Sequence, residues 1–140
     1  MMGAGTFGYK DPSYRHEAGV AYAPHHDIYS TGAILLQLVT GLDVFESKRL
    51  VSTPERPRMR REIPDPRAAW PDWLWRRIVA LACRCLVEVD EAGAPKEAGV
   101  PRRPTAAELA DELERLAAIA EIKVRRRGAA HLHMWCCGWR

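Results

Sequence analysis

Asp27 to Gly41 reads DIYSTGAILLQLVTG, and this stretch decides the fold class. Asp27 is of the residue type that caps the free N–H groups at a helix start, and Gly41 of the type that stops a helix in a left-handed turn. Between them, Ile28 to Thr40 is almost unbroken apolar sequence, with Gln37 its one strongly polar member. A helix apolar on every face belongs in a core. The pattern therefore predicts a buried helix over 28–40 with Asp27 as its N-cap.

On the N-terminal side, residues 1–26 hold no sustained period and are rich in Gly, Pro, Tyr and His, which predicts an extended loop with short turns. On the C-terminal side, residues 42–72 combine prolines with dense charge and predict a surface connection holding at most a short helix. From Trp73 to Val89 the apolar positions Leu74, Ile78, Leu81, Cys85 and Val89 recur at helical spacing, opposite Arg76, Arg77 and Arg84, which predicts an amphipathic helix. Trp70, Trp73 and Trp75 flank or enter it and read as core. Gly93, Pro95, Gly99 and Pro101 mark residues 90–102 as a flexible insert. Pro104, then Thr105 with Glu108 three residues on, form a capping box that opens a last helix with Leu109, Leu113, Leu116 and Ala120 on one stripe, to about Ile122. Residues 123–140 are a basic tail, expected to be disordered. The fold class is mostly α, with a loop at 1–26, a helical body at 27–122 and the tail.

The chain has 140 residues, 47% hydrophobic and 28% charged, which suits one globular domain. Its net charge of +3, with basic residues bunched at Arg58 to Arg61 and Lys123 to Arg127, is too weak a field to imply nucleic acid. No apolar run is long enough to span a bilayer, and no secretory signal opens the chain, so a cytoplasmic site is expected. Cys83 and Cys85 lie in a helical stretch, and Cys136 and Cys137 are adjacent. That is no disulfide framework, and reduced thiols are expected.

Three segments together resemble receptor-like serine/threonine protein kinases of plants. They are GTFGYKDPSY from Gly5 to Tyr14, the helix DIYSTGAILLQLVTG, and Arg103-Pro104-Thr105 preceded by Cys85-Leu86. The phrase LLQLVTG is similar to the U-box kinase branch. The resemblance covers roughly residues 5–120. It implies a partial C-terminal kinase lobe: the end of the activation segment, then the central, penultimate and last helices, with the N-terminal lobe absent. Gly5, Thr6, Phe7, Gly8 and Tyr9 would form the substrate-docking end of the activation segment, and Asp11, Pro12, Asp27, Gly32 and Arg103 are structural family positions. The parent activity is ATP- and Mg-dependent protein phosphorylation. The strand lysine, catalytic-loop aspartate and magnesium ligands it needs have no candidates in these residues, so no cofactor and no catalytic residue are assigned. The family's arginine at 103 pairs with a glutamate two residues beyond Asp11; Ser13 stands there, so Arg103 is expected to lack its partner. A full-length kinase or its protein substrate is the implied partner, in the cytoplasm or, through that partner, at the cytoplasmic side of the plasma membrane. The alternative is a non-catalytic decoy or interaction module.

Two patterns tempt other readings. Gly3 to Gly8 matches G-x-G-x-x-G, but Lys10-Asp11-Pro12 follows it where a phosphate-binding loop needs a strand or helix. In the tail, His131, His133, Cys136 and Cys137 suggest zinc, but adjacent cysteines suit a tetrahedral site poorly. The same tail's basic run beside Trp135 and two cysteines also suits a palmitoylated membrane-surface segment, with a disordered tail the plainer reading.

Overall fold

The computed structural model describes residues 6–14, 22–52, 63–90 and 92–136, with side chains up to residue 123. The described residues form four α-helices and no strand: α1 (Pro24–Thr40), α2 (Val44–Ser52), α3 (Asp72–Cys85) and α4 (Ala106–Cys136), with a 3-10 turn at Pro66–Ala68. The chain is mostly α. It divides into two units, Met1–Ala106 and Ala107–Arg140.

In the first unit, α1 starts at Pro24, ahead of the expected cap at Asp27. Proline is pre-set for the first helical position, where its missing N–H costs nothing. Ala23 precedes it in extended conformation. His26 then does what Glu or Gln does in a capping box: its Nδ1 accepts the Ala23 N–H at 3.0 Å, while its own N–H donates to the Ala23 carbonyl at 3.0 Å. Asp27 is thus not the N-cap. It sits exposed in the first turn, where negative charge suits the helix dipole, and accepts the Tyr22 hydroxyl. The far end is as expected: Gly41 turns left-handed at φ +67°, and its N–H closes on the Gln37 carbonyl at 2.8 Å.

One flank of α1 meets α3 at close range. A Cβ on Gly32 would lie 2.6 Å from the Cys85 Cβ and 3.0 Å from the Ala82 carbonyl oxygen, so only glycine allows this approach. Ala33, Leu36 and Val39 are fully buried along the same helix. Two neighbouring helices cannot surround a third, and of its large apolar residues Ile28, Leu35 and Val39 are buried while Ile34 is 54% and Leu38 59% exposed. They lie one turn apart, on a flank that α2 and α3 leave uncovered.

The charged stretch after Gly41 holds α2. Asp43 caps it, its carboxylate accepting the Phe45 and Glu46 amides at 2.8 and 3.1 Å. Thr40 and the fully buried Ser47 share a hydrogen bond of 2.7 Å that fixes α2 against the end of α1. Helix α3 ends at Cys85, four residues short of the expected Val89, with the Leu86 N–H on the Ala82 carbonyl. Val89 is buried, but as half of an antiparallel bridge to Pro95. The chain turns back there, with the Asp90 carboxylate accepting the Ala92 and Ala94 amides at 2.9 Å. Trp75 is core as expected, while Trp70 and Trp73 are half-buried.

In the second unit, α4 opens directly after Thr105 and runs past the expected end near Ile122 to Cys136. The tail is therefore helical in backbone up to that residue. Ala, Leu, Glu, Arg and Lys dominate the stretch, no proline follows Pro104, and Gly128 alone interrupts it, at a cost of about 1 kcal/mol. The side chains of His131, His133 and Cys136, and the whole of Cys137, lie outside the described residues. No single helix among the described residues is long and apolar enough to cross a membrane.

Candidate functional site

The first unit gathers its buried charge at one place. Arg103 and Asp11 have side chains only 3% and 1% exposed, and they pair in fork-on-fork fashion. Arg103 Nη1 donates to Asp11 Oδ2, and Nη2 to Asp11 Oδ1 at 3.1 Å. The guanidinium also donates from Nη1 to the His25 carbonyl at 2.9 Å and from Nε to the Val87 carbonyl at 2.7 Å, and it lies over the Tyr29 ring. Arg103 therefore does not lack a carboxylate. Asp11 takes the place expected of a glutamate at 13, and the Ser13 amide completes it by donating to Asp11 Oδ1 at 3.0 Å. Burial alone would raise the Asp11 pKa; the hydrogen bonds and charge of Arg103, with the Ser13 amide, overcome this and hold the carboxyl below its usual range.

On the Asp11 side of this pair is a hollow of about 80 Å³, lined by Thr6, Tyr9, Lys10, Asp11, Tyr14, Tyr22, His26 and Ser30. The segment 6–14 is fastened to α1 through Tyr9, whose hydroxyl donates to Gln37 and whose carbonyl accepts the Ser30 hydroxyl at 2.9 Å. Lys48 of α2 holds the Gly8 carbonyl and the Tyr29 hydroxyl. Gly8 itself has φ +95° and sits tight against Val44 and Phe45.

Of the residues expected to form a docking end, Thr6 and Tyr9 line the hollow, while Phe7 is 85% exposed and tilts against Phe45 with ring centroids 5.4 Å apart. Gly5 lies outside the described residues, as do Gly3 and Ala4 of the glycine-rich match. Asp11 and Arg103 meet, Pro12 is exposed, and Gly32 works elsewhere, at the α1–α3 contact. His25, His26, Tyr14 and Tyr22 were not singled out from the sequence. Pro24 was the available signal, because a proline that opens a helix draws the next two residues into its first turn.

Asp11, His25 and His26 offer ligand atoms within 4.8 Å of one another. The donor set does not suit a cation: both Asp11 oxygens are committed to Arg103 and Ser13, the His26 Nδ1 lone pair is taken by Ala23, and a guanidinium sits alongside. Magnesium with ATP meets the same obstacle, since Asp11 is the one carboxylate lining the hollow. A second concavity, an open groove of about 800 Å³, runs past Tyr29, Lys48, Val51, Arg84, Glu88 and Lys96. Its charges are of both signs and select no class of ligand. Buried Cys85 has its thiol pushed up to about 11 by desolvation, which makes it unreactive.

No known protein-family model matches this chain, and no curated protein matches it.

Proposed function

We propose that these residues are the helical, C-terminal part of a serine/threonine protein-kinase-like lobe, of the receptor-like type, and that on their own they transfer no phosphate. The observation that carries this reading is the buried Asp11–Arg103 pair, which joins the segment after Tyr9 to the residues just before α4 across 92 positions. The resemblance implies such a tie between these same two segments, with its acid two positions later. Glycine at 32, where α1 touches α3, supports the reading as a second family position with a physical need for its residue type. Phosphoryl transfer works by positioning and by neutralising charge on the phosphates, and in the hollow the one carboxylate, Asp11, is committed to Arg103 and Ser13 while the one lysine, Lys10, lies over the Tyr14 ring.

Isothermal titration of the chain with ATP and magnesium is expected to show no heat of binding. A dissociation constant in the micromolar range would overturn the non-catalytic part of the proposal. The alternative is a decoy or interaction module for a full-length kinase or its substrate, and the exposed Phe7–Phe45 pair beside segment 6–14 favours it. Sequencing the transcript upstream of the Met1 codon separates the two. An in-frame strand lysine and catalytic loop would make the parent an ordinary kinase; a translated message without them supports the decoy.

A further inference from the structure

His26 is 3% exposed and stands where the loop, the first turn of α1 and Arg103 converge. Its ring is boxed by Tyr14 at 5.2 Å, Tyr22 at 5.3 Å and His25 at 4.2 Å between centroids. Nδ1 accepts the Ala23 amide at 3.0 Å, which requires that nitrogen to carry no proton. Protonation would set N–H against N–H at the Ala23 cap. It would also add positive charge at the N-terminal end of a helix, where the dipole is already positive.

The groups that face the ring compound this. Arg103 is positive and tied to the adjacent His25 carbonyl, His25 meets the ring edge-on, and Lys10 lines the same hollow. The opposing charges are Asp11, whose oxygens are already bound by Arg103 and Ser13, and Asp27, which accepts the Tyr22 hydroxyl. Tyr14 and Tyr22 offer ring faces and edges. We propose that His26 is an acid-sensitive latch: neutral, it pins the Thr6–Tyr14 segment and the α1 cap together around Arg103; protonated, it releases them.

Burial first, then His25, hold the imidazole below its ordinary 6.5; Asp11 pulls the other way more than Arg103 adds, and Asp27 least, without reversing the direction. The unfolded or released form therefore takes the proton first. The latch is fully closed above about pH 6.5 and loosens as pH falls through that value towards the lower value of the closed form.

The test is amide hydrogen exchange on the full chain at pH 7.5 and 5.5, corrected for intrinsic rates, comparing wild type with His26→Asn. Asparagine keeps an acceptor near the Nδ1 position but cannot charge. Protection of the Ala23 and Tyr14 amides is expected to fall in the wild type, by at most about tenfold since pH 5.5 lies one unit below the open form's 6.5, and to stay constant in the variant. Equal protection at both pH values in the wild type, or an equal fall in the variant, overturns the latch. If His26→Asn does not fold, the histidine ring nitrogens of the wild type are followed by NMR instead. His26 neutral at pH 6.5 with Nδ1 as acceptor supports the proposal, and a ring half-protonated at or above pH 6.5 refutes it.

Discussion

The two halves of α1 are held by different physics. Its first turns sit in a knot of charge and hydrogen bonds, where Arg103 pairs with Asp11 and holds the His25 carbonyl while His26 holds the Ala23 amide. Its second half packs by apolar contact on one flank, through Gly32, Leu36 and Val39, carries the neutral hydrogen bonds of Gln37 and Thr40, and exposes Ile34 and Leu38 on the other flank. The polar half depends on specific partners, because a buried charge without its counter-ion is costly. The apolar half depends on how closely backbones approach. An apolar composition alone does not say which side of a helix will be covered; the position of the glycine does.

The comparison breaks most visibly at Arg103. Arg103→Ala leaves Asp11 charged and buried without its partner, and the expected loss is about 3–5 kcal/mol, read as a lower urea midpoint or failure to fold. A loss below about 1 kcal/mol would mean that water reaches Asp11 and that the polar half is no anchor. Next in size is Gly32→Ala, whose new Cβ would meet Cys85 and the Ala82 carbonyl; overpacking of this kind costs about 1–3 kcal/mol. Unchanged stability there would show that α1 and α3 slide apart freely. The smallest effect is expected on the bare flank, where Ile34→Lys and Leu38→Lys each shift stability by no more than about 0.5 kcal/mol while together lowering ANS binding and aggregation. If either costs more than about 1 kcal/mol, something covers that flank in solution.

Much of the helical layout was legible because it rests on local signals. The apolar run from Ile28 to Thr40 marks α1, Gly41 ends it, and Pro104-Thr105 opens α4. The misread boundaries have particular causes. Asp27 competes as a cap with Pro24 and His26, and proline with a reach-back histidine wins. Val89 keeps helical spacing from Cys85 yet is buried by a reversal of the chain. Helix α2 is the short helix expected within 42–72, and its bounds hide among charges because its buried side is only Val44, Ser47 and Val51, with Asp43 at its start. The central feature of the site was the least legible. That Asp11 rather than residue 13 meets Arg103 depends on contacts between segments far apart, which no local pattern encodes.

The span of that pair also bears on how the chain comes into being. Closing a flexible loop of 92 residues carries an entropic cost of about 4 kcal/mol, so the pair cannot lead folding and is rewarded only after α1 and α3 have met. On a ribosome adding about 5–20 residues per second, Asp11 emerges roughly 5–18 s before Arg103 does. Through that interval the first segment and α1 wait without their counter-charge, and the Ile34–Leu38 flank is already on offer to whatever else is nearby. Co-translational partners, chaperones among them, therefore have their window before residue 103 is made, and a ribosome stalled short of it would hold a chain whose polar anchor has not yet been synthesised.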